Sequence, residues 1–236
     1  MYSQIADVSY KRLTREVAVP QGGGSLTFWT SYDTEPAWDH LFVEARTPGQ
    51  NNWTTLPDAN GNTTTDTGES CKAENSGGWR TIHPQMDFYQ TQVGTASCNP
   101  TGSNGGAWNA ASGNSGGWQQ WSVDLSDYAN QNVEISIAYA SDWATQGLGV
   151  FIDDVTLPDG TSTSFENGLD GWSVTGPPPG SAPNANNFEV TDASGFPVGN
   201  TIATPNSLLM GFGLEGVSTQ AERNEVMKRA LDHLLG

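Results

Sequence analysis

An all-β sandwich is the fold class this sequence predicts, and three observations carry the prediction. Short runs alternate apolar and polar residues with period two, most clearly residues 121–125 (WSVDL) and Val133, Ile135, Ile137 and Tyr139. Twenty-eight Gly and thirteen Pro punctuate those runs as turn residues rather than forming low-complexity tracts. Nine Trp, eight Phe and six Tyr supply large buried surfaces to a chain whose hydrophobic content is only 35%. A length of 236 residues suits one large all-β domain or two small ones.

The elements follow in chain order. Residues 1–20 read as a strand pair with Leu13, Val17 and Val19 apolar, closed by the turn PQGGG at 20–24. Residues 26–32 (LTFWTSY), 41–45 (LFVEA) and 53–56 (WTTL) read as strands, with an acidic corner at 33–38. Residues 58–117 are rich in Gly, Asn, Ser and Thr and poor in aliphatics. So long a span is unlike a bare loop, and it reads as a functional or disulfide-pinned excursion anchored by Phe88, Tyr89 and Trp108. Strands at 121–125, 133–139 and 150–152 come next, the last ending on the acid pair Asp153 and Asp154. A new section opens at Ser164, and residues 176–183 read as a stiff Pro-rich linker or arm. Strands are expected at 188–190 and 207–212. The tail carries a capping box at 219–222 and an apolar stripe through Val226, Met227, Ala230, Leu231, Leu234 and Leu235, which predicts the one helix. The expected division is a sandwich over 1–160 and an extension over 161–236 packed on the same sandwich.

Charge narrows the partners. Nine Lys and Arg against 26 Asp and Glu give a net charge of −17. Such a field repels phosphate backbones and anionic membrane surfaces, so nucleic acid is not an expected partner. No apolar run reaches membrane-spanning length, and no signal peptide follows Met1. Cys71 and Cys98 are either a disulfide across the excursion or two buried thiols; two Cys without paired His do not make a metal site.

Five segments resemble a known region, in order: 31–45 (SYDTEPAWDHLFVEA), 51–58 (NNWTTLPD), 116–155 (ending GVFIDDV), 164–190 (beginning SFENGLDGW) and 208–235 (LLMGFGLEGVSTQAERNEVMKRALDHLL). Together they resemble the C-terminal region of secreted bacterial zinc carboxypeptidases and immune inhibitor A-type metallopeptidases, a MAM-like jelly-roll β-sandwich. The resemblance implies a non-catalytic accessory region of a secreted enzyme, with the parent's upstream peptidase domain as partner. It implies no zinc in this chain, because His40, His83 and His233 are isolated and no His-Glu-x-x-His occurs. It also implies secretion of the whole protein.

Several side chains are candidates for chemistry. Asp153 and Asp154, with Glu35, Asp39 and Glu166, offer the hard oxygen ligands that calcium needs, and the alternative is solvated carboxylates with no ion. By resemblance to jelly-roll modules, Asp153 and Glu166 are the first choices for a structural calcium. Acid pairs also serve glycosidases, but nothing here resembles a hydrolase motif. Trp79, Trp108, Trp118 and Trp143, set among Gly and Ser, either pin loops or stack on a glycan or protein partner. That second option is the basis of the alternative reading, an independent carbohydrate-binding or adhesion module. Gly211 to Gly216 spell G-x-G-x-x-G, yet the βαβ unit that a dinucleotide site needs is missing.

Overall fold

The structure, a computed structural model, describes residues 1–191, 201–204 and 207–210, together with helical positions 224, 227 and 228. The chain divides into two compact units, Met1–Val190 and Thr191–Gly236. Thirteen strands are described. They are β1 (Tyr10–Ala18), β2 (Ser25–Asp33), β3 (His40–Arg46), β4 (Thr54–Leu56), β5 (Thr91–Val93), β6 (Ser97–Asn99), β7 (Gln119–Asp124), β8 (Asn132–Ala140), β9 (Gly149–Thr156), β10 (Ser162–Thr163), β11 (Ser173–Thr175), β12 (Thr201–Thr204) and β13 (Ser207–Met210).

The first unit is an antiparallel β-sandwich. One sheet runs β11-β1-β8-β3-β4 and the other β10-β9-β2-β7. Successive long strands alternate between the sheets, β1 in the first, β2 in the second, β3 back in the first, then β7, β8 and β9 likewise. Period-two patterning decides which face each strand buries. Leu13 and Val17 of β1, Leu41, Val43 and Ala45 of β3, and Val133, Ile135, Ile137 and Tyr139 of β8 meet Leu26, Phe28, Trp121, Val123, Val150 and Ile152 from the facing sheet. Each fully buried aliphatic among these contributes about 1.5–3 kcal/mol relative to exposure.

The outer face of the five-stranded sheet is not simply solvated. Phe42, Ala138, Ala140 and Tyr10 lie on that face, and β3 is buried along six of its seven residues. What covers them is the 58–117 excursion. Trp79, Ile82, Met86, Tyr89, Trp108 and Ala110 form a second core with those strand residues. The excursion is thus a folded third layer, built on 3-10 turns at Trp79–Thr81 and Pro84–Phe88 and on the β5–β6 hairpin. Gly102 lets it pass the Phe88 carbonyl, where any side chain would collide with backbone. Cys71 and Cys98 are disulfide-bonded across this layer, 27 positions apart in sequence. A loop of that length is worth about 3.5 kcal/mol through the unfolded state. Reducing the bond should therefore lower the denaturation midpoint without changing the sandwich's far-UV signature, read by urea melts with and without dithiothreitol.

Three expectations are sharpened by the structure. Residues 161–190, the start of the expected extension, pair with the sandwich, β10 with β9 and β11 with β1, and the compact units divide after Val190. The Pro-rich segment is no free linker: the Ala182 amide donates to the Ile82 carbonyl, and Asn184 exchanges bonds with the Tyr10 backbone. Asp153 and Asp154 do not end a strand but sit inside β9. There the register to β2 shifts between Thr27 and Trp29, and Asp154 takes a left-handed φ of 46°, the marks of a β-bulge. In the second unit β12 and β13 pair antiparallel, and Asn224, Met227 and Lys228 are helical. The capping box at 219–222 and the Gly-rich run at 211–216 lie outside the described residues. No helix among the described residues is long and apolar enough to cross a membrane.

Candidate metal centre

Antiparallel pairing of β3 with β8 places His40 opposite Ala140. The residues just beyond that pair must therefore meet at one end of the sandwich. Asp39 precedes β3 and Asp142 follows β8, and the Asp142 amide donates to Asp39 Oδ1 at 3.1 Å. Glu35 is brought in by a tight turn through left-handed Ala37, in which the Asp39 amide donates to the Glu35 carbonyl at 3.0 Å. One carboxylate oxygen from each of Glu35, Asp39 and Asp142 lies within 4.8 Å of the others, the one such group among the described residues. Oxygens sharing a calcium ion at about 2.3–2.6 Å lie at most about 5 Å apart, so this spacing suits one coordination sphere.

Burial makes the three acids costly as anions. Asp39 is 0% and Asp142 4% exposed, while Glu35 is half-buried. Burial pushes the Asp39 carboxyl up to about 7, against hydrogen bonds from Tyr139 and the Asp142 amide that favour its charged form. Asp142 and Glu35 are also raised, each first by burial, and the Asp142 charge adds to the shift at Glu35. Partners compensate incompletely. The Tyr139 hydroxyl donates to Asp39 Oδ2 at 2.8 Å, but Asp142 Oδ1 is buried with no hydrogen-bond partner. An orphaned buried carboxylate oxygen is expensive and needs a cation or a proton. Lys11, fully buried and within electrostatic reach of Asp39, spends its ammonium on the Ser3 and Gln4 carbonyls and on Asn186 Oδ1. Burial lowers Lys11 to about 8 even though the Asp39 charge supports its protonation. One lysine cannot neutralise three carboxylates. The donor set, three hard oxygens and no nitrogen or sulfur, suits calcium rather than zinc.

The structure thus joins two of the acids singled out in the sequence, Glu35 and Asp39, to one that was not. Asp142 was missed because its proximity depends on strand register, although the predicted strands at 41–45 and 133–139 would have indicated it if paired. The remaining acids lie apart from this group. Asp153 accepts from the Asp154 amide at 2.8 Å, Asp154 is exposed on the bulge, and Glu166 is exposed. Asp153 and Glu166 do share a neighbour, since both act electrostatically on the Met1 ammonium, which donates to the Ile152 carbonyl.

Among the loop tryptophans, Trp79 is 2% and Trp108 0% exposed, which favours the core reading of both rings over ligand contact. Trp108 spends its indole N–H on the Asp66 carbonyl at 2.8 Å. Trp143 is half-buried against the second core, and Trp118 is 54% exposed. His40 and His83 are buried and held neutral, each lowered to about 4 by burial, and His83 Nε2 meets the Ser141 carbonyl. His83 is therefore a packed residue. No family model matches the chain, and no curated protein matches it significantly.

Proposed function

We propose that this chain is a non-catalytic, calcium-stabilised β-sandwich module of a secreted protein, the accessory region of an exported zinc metallopeptidase. The observation that carries the cation is the triad of Glu35, Asp39 and Asp142 with its orphaned Asp142 oxygen. Those three carboxylates would hold the ion, and its chemistry there is charge neutralisation rather than catalysis. Bound at the sandwich end, it ties the corner before β3 to the loop after β8. Extracellular calcium is abundant, and the Cys71–Cys98 disulfide fits an oxidising compartment. The accessory role rests on the resemblance of residues 31–45, 51–58, 116–155, 164–190 and 208–235 to the regions that follow such peptidases, and the jelly-roll lineage belongs to the same reading.

A thermal melt tests the cation. Chelator-treated protein should melt lower than protein in millimolar calcium, and Asp142→Asn should abolish the difference. An identical melting temperature in chelator and in calcium would remove the ion from the account. The accessory role has its own test: co-expressed with the cognate peptidase domain, the module should raise that domain's thermal half-life, and no effect on half-life or substrate turnover would contradict it.

A further inference from the structure

On the outer face of the five-stranded sheet, beside the third layer, a groove of about 550 Å³ lies open. The layer covers Tyr10, Phe42 and Ala138, and where it stops the same face turns polar: Arg12 and Thr14 on β1, Glu134 on β8, Arg46 on β3 and Thr175 on β11. Trp53, Phe88, Pro178 and Pro179 form apolar walls. Two of the chain's nine basic residues therefore line one groove in a protein of net charge −17.

Both guanidiniums are held from behind. Arg12 donates through Nε and Nη2 to the Gly176 carbonyl, and its Nη1 lies 3.6 Å from Glu44 Oε1. Glu44 is fully buried and locked in turn, its Oε2 accepting from Tyr10 at 2.6 Å and Tyr89 at 2.8 Å. Gln85, itself a wall of the groove, donates to the Tyr89 hydroxyl at 3.0 Å. Arg46 is stacked 4.5 Å over the Trp53 ring and paired with Glu134 at 2.9 Å, while its Nε is buried without a partner. A guanidinium carries five N–H donors, so each arginine keeps donors in reserve after these contacts. Pre-organised forks of this kind recognise carboxylates.

The occupant's shape follows from the backbone. Peptides are commonly captured by adding a strand to a sheet edge. This groove lies on the face of β1, β8 and β3, whose N–H and C=O groups pair within the sheet, rather than along the free edge of β11, so recognition on this face falls to side chains. Rigid proline and aromatic walls suit the C–H faces of a sugar ring, and Asn51, Thr14 and Thr175 offer partners to its hydroxyls.

We propose that this groove binds an acidic glycan through a uronate carboxylate seated between Arg12 and Arg46. The inference is independent of the cation triad, which lies at the end of β3 and β8 rather than on this face. Titration calorimetry of the full chain with trigalacturonate, with neutral galactotriose and with an Asp hexapeptide tests it. The expected result is saturable binding of trigalacturonate that weakens with salt, and no measurable binding of the neutral sugar or the peptide. Arg46→Gln, at a partly exposed position, should weaken trigalacturonate roughly tenfold or more while the protein keeps its far-UV spectrum and a cooperative melt. Arg12→Lys, which keeps the charge beside Glu44 but loses the fork, should do the same; if it fails to fold, Arg46→Gln decides alone. No binding of trigalacturonate at millimolar concentration would overturn the proposal. So would equal binding of galactotriose or of the Asp peptide, or unchanged affinity in a folded Arg46→Gln.

Discussion

Replacing Trp108 with alanine is expected to destabilise the first unit by about 3–5 kcal/mol, the range for deleting a buried tryptophan. The ring is fully buried between His40, Phe42 and Tyr89, with centroid distances of 5.3, 5.2 and 6.4 Å. Its loss opens a cavity under the third layer and frees the Asp66 carbonyl that the indole N–H satisfies. Equilibrium urea unfolding followed by tryptophan fluorescence measures the change. A loss below about 1 kcal/mol would mean that the 58–117 layer is not a packed core. An exposed tryptophan gives a contrast, since Trp118→Ala should change stability by no more than about 0.5 kcal/mol.

A second large effect concerns pH and calcium together. The Asp39 carboxyl stands near 7 in the folded protein against an ordinary 3.8. An acid raised on folding binds its proton more tightly in the native state, so its contribution to stability is full below the ordinary value. It is lost as pH climbs through about 7. Raised Asp142 and Glu35 act in the same direction. Measured against Asp39→Asn, calcium-free protein should therefore lose stability between about pH 4 and pH 7, the window set by the Asp39 shift. His40 and His83, lowered to about 4, act in the opposite direction below their ordinary 6.5 and cancel in that comparison. Bound calcium needs the charged forms and should flatten or reverse that slope. At about 100 times the dissociation constant, a ligand of the native state adds about 2.7 kcal/mol. For a unit of this size that is roughly 5–10 °C in melting temperature. The calcium-dependent shift should be largest at pH 8 and smallest at pH 5, because protons compete for the same oxygens. Asp39→Asn removes the most strongly raised of the three acids and should remove its share of the pH slope and abolish the calcium shift.

Much of the inner core was legible because period two leaves a signature. Val133, Ile135, Ile137 and Tyr139 read as one face, and they are that face. The third layer left no such signature. Its core rests on Trp79, Met86, Tyr89 and Trp108, spaced irregularly over two 3-10 turns and the irregular chain after them and held by one disulfide, so no window of residues repeats. That layer also explains why Phe42, Ala138 and Ala140 sit where a one-sided sheet would carry polar residues. The acids were half legible for a related reason. Glu35 and Asp39 share one local turn and were found together, whereas Asp142 reaches them only through the register of β3 on β8. Asp153 and Asp154 read as a strand end because Asp is depleted in strands; a bulge with a left-handed Asp154 lets β9 continue to Thr156. The Pro-rich run was legible as a linker or an arm, and it docks as an arm. Its stiffness suits a wall as well as a linker, and Pro178 and Pro179 line the groove.

The most direct measurement is calcium titration calorimetry on chelator-stripped protein at pH 8, comparing the unmodified chain with Asp142→Asn. The account predicts one saturable site lost in the variant, with proton release that grows as pH falls toward 7. Absence of binding heat in both proteins, together with a melting temperature indifferent to calcium, would contradict it. So would a site that persists undiminished in Asp142→Asn.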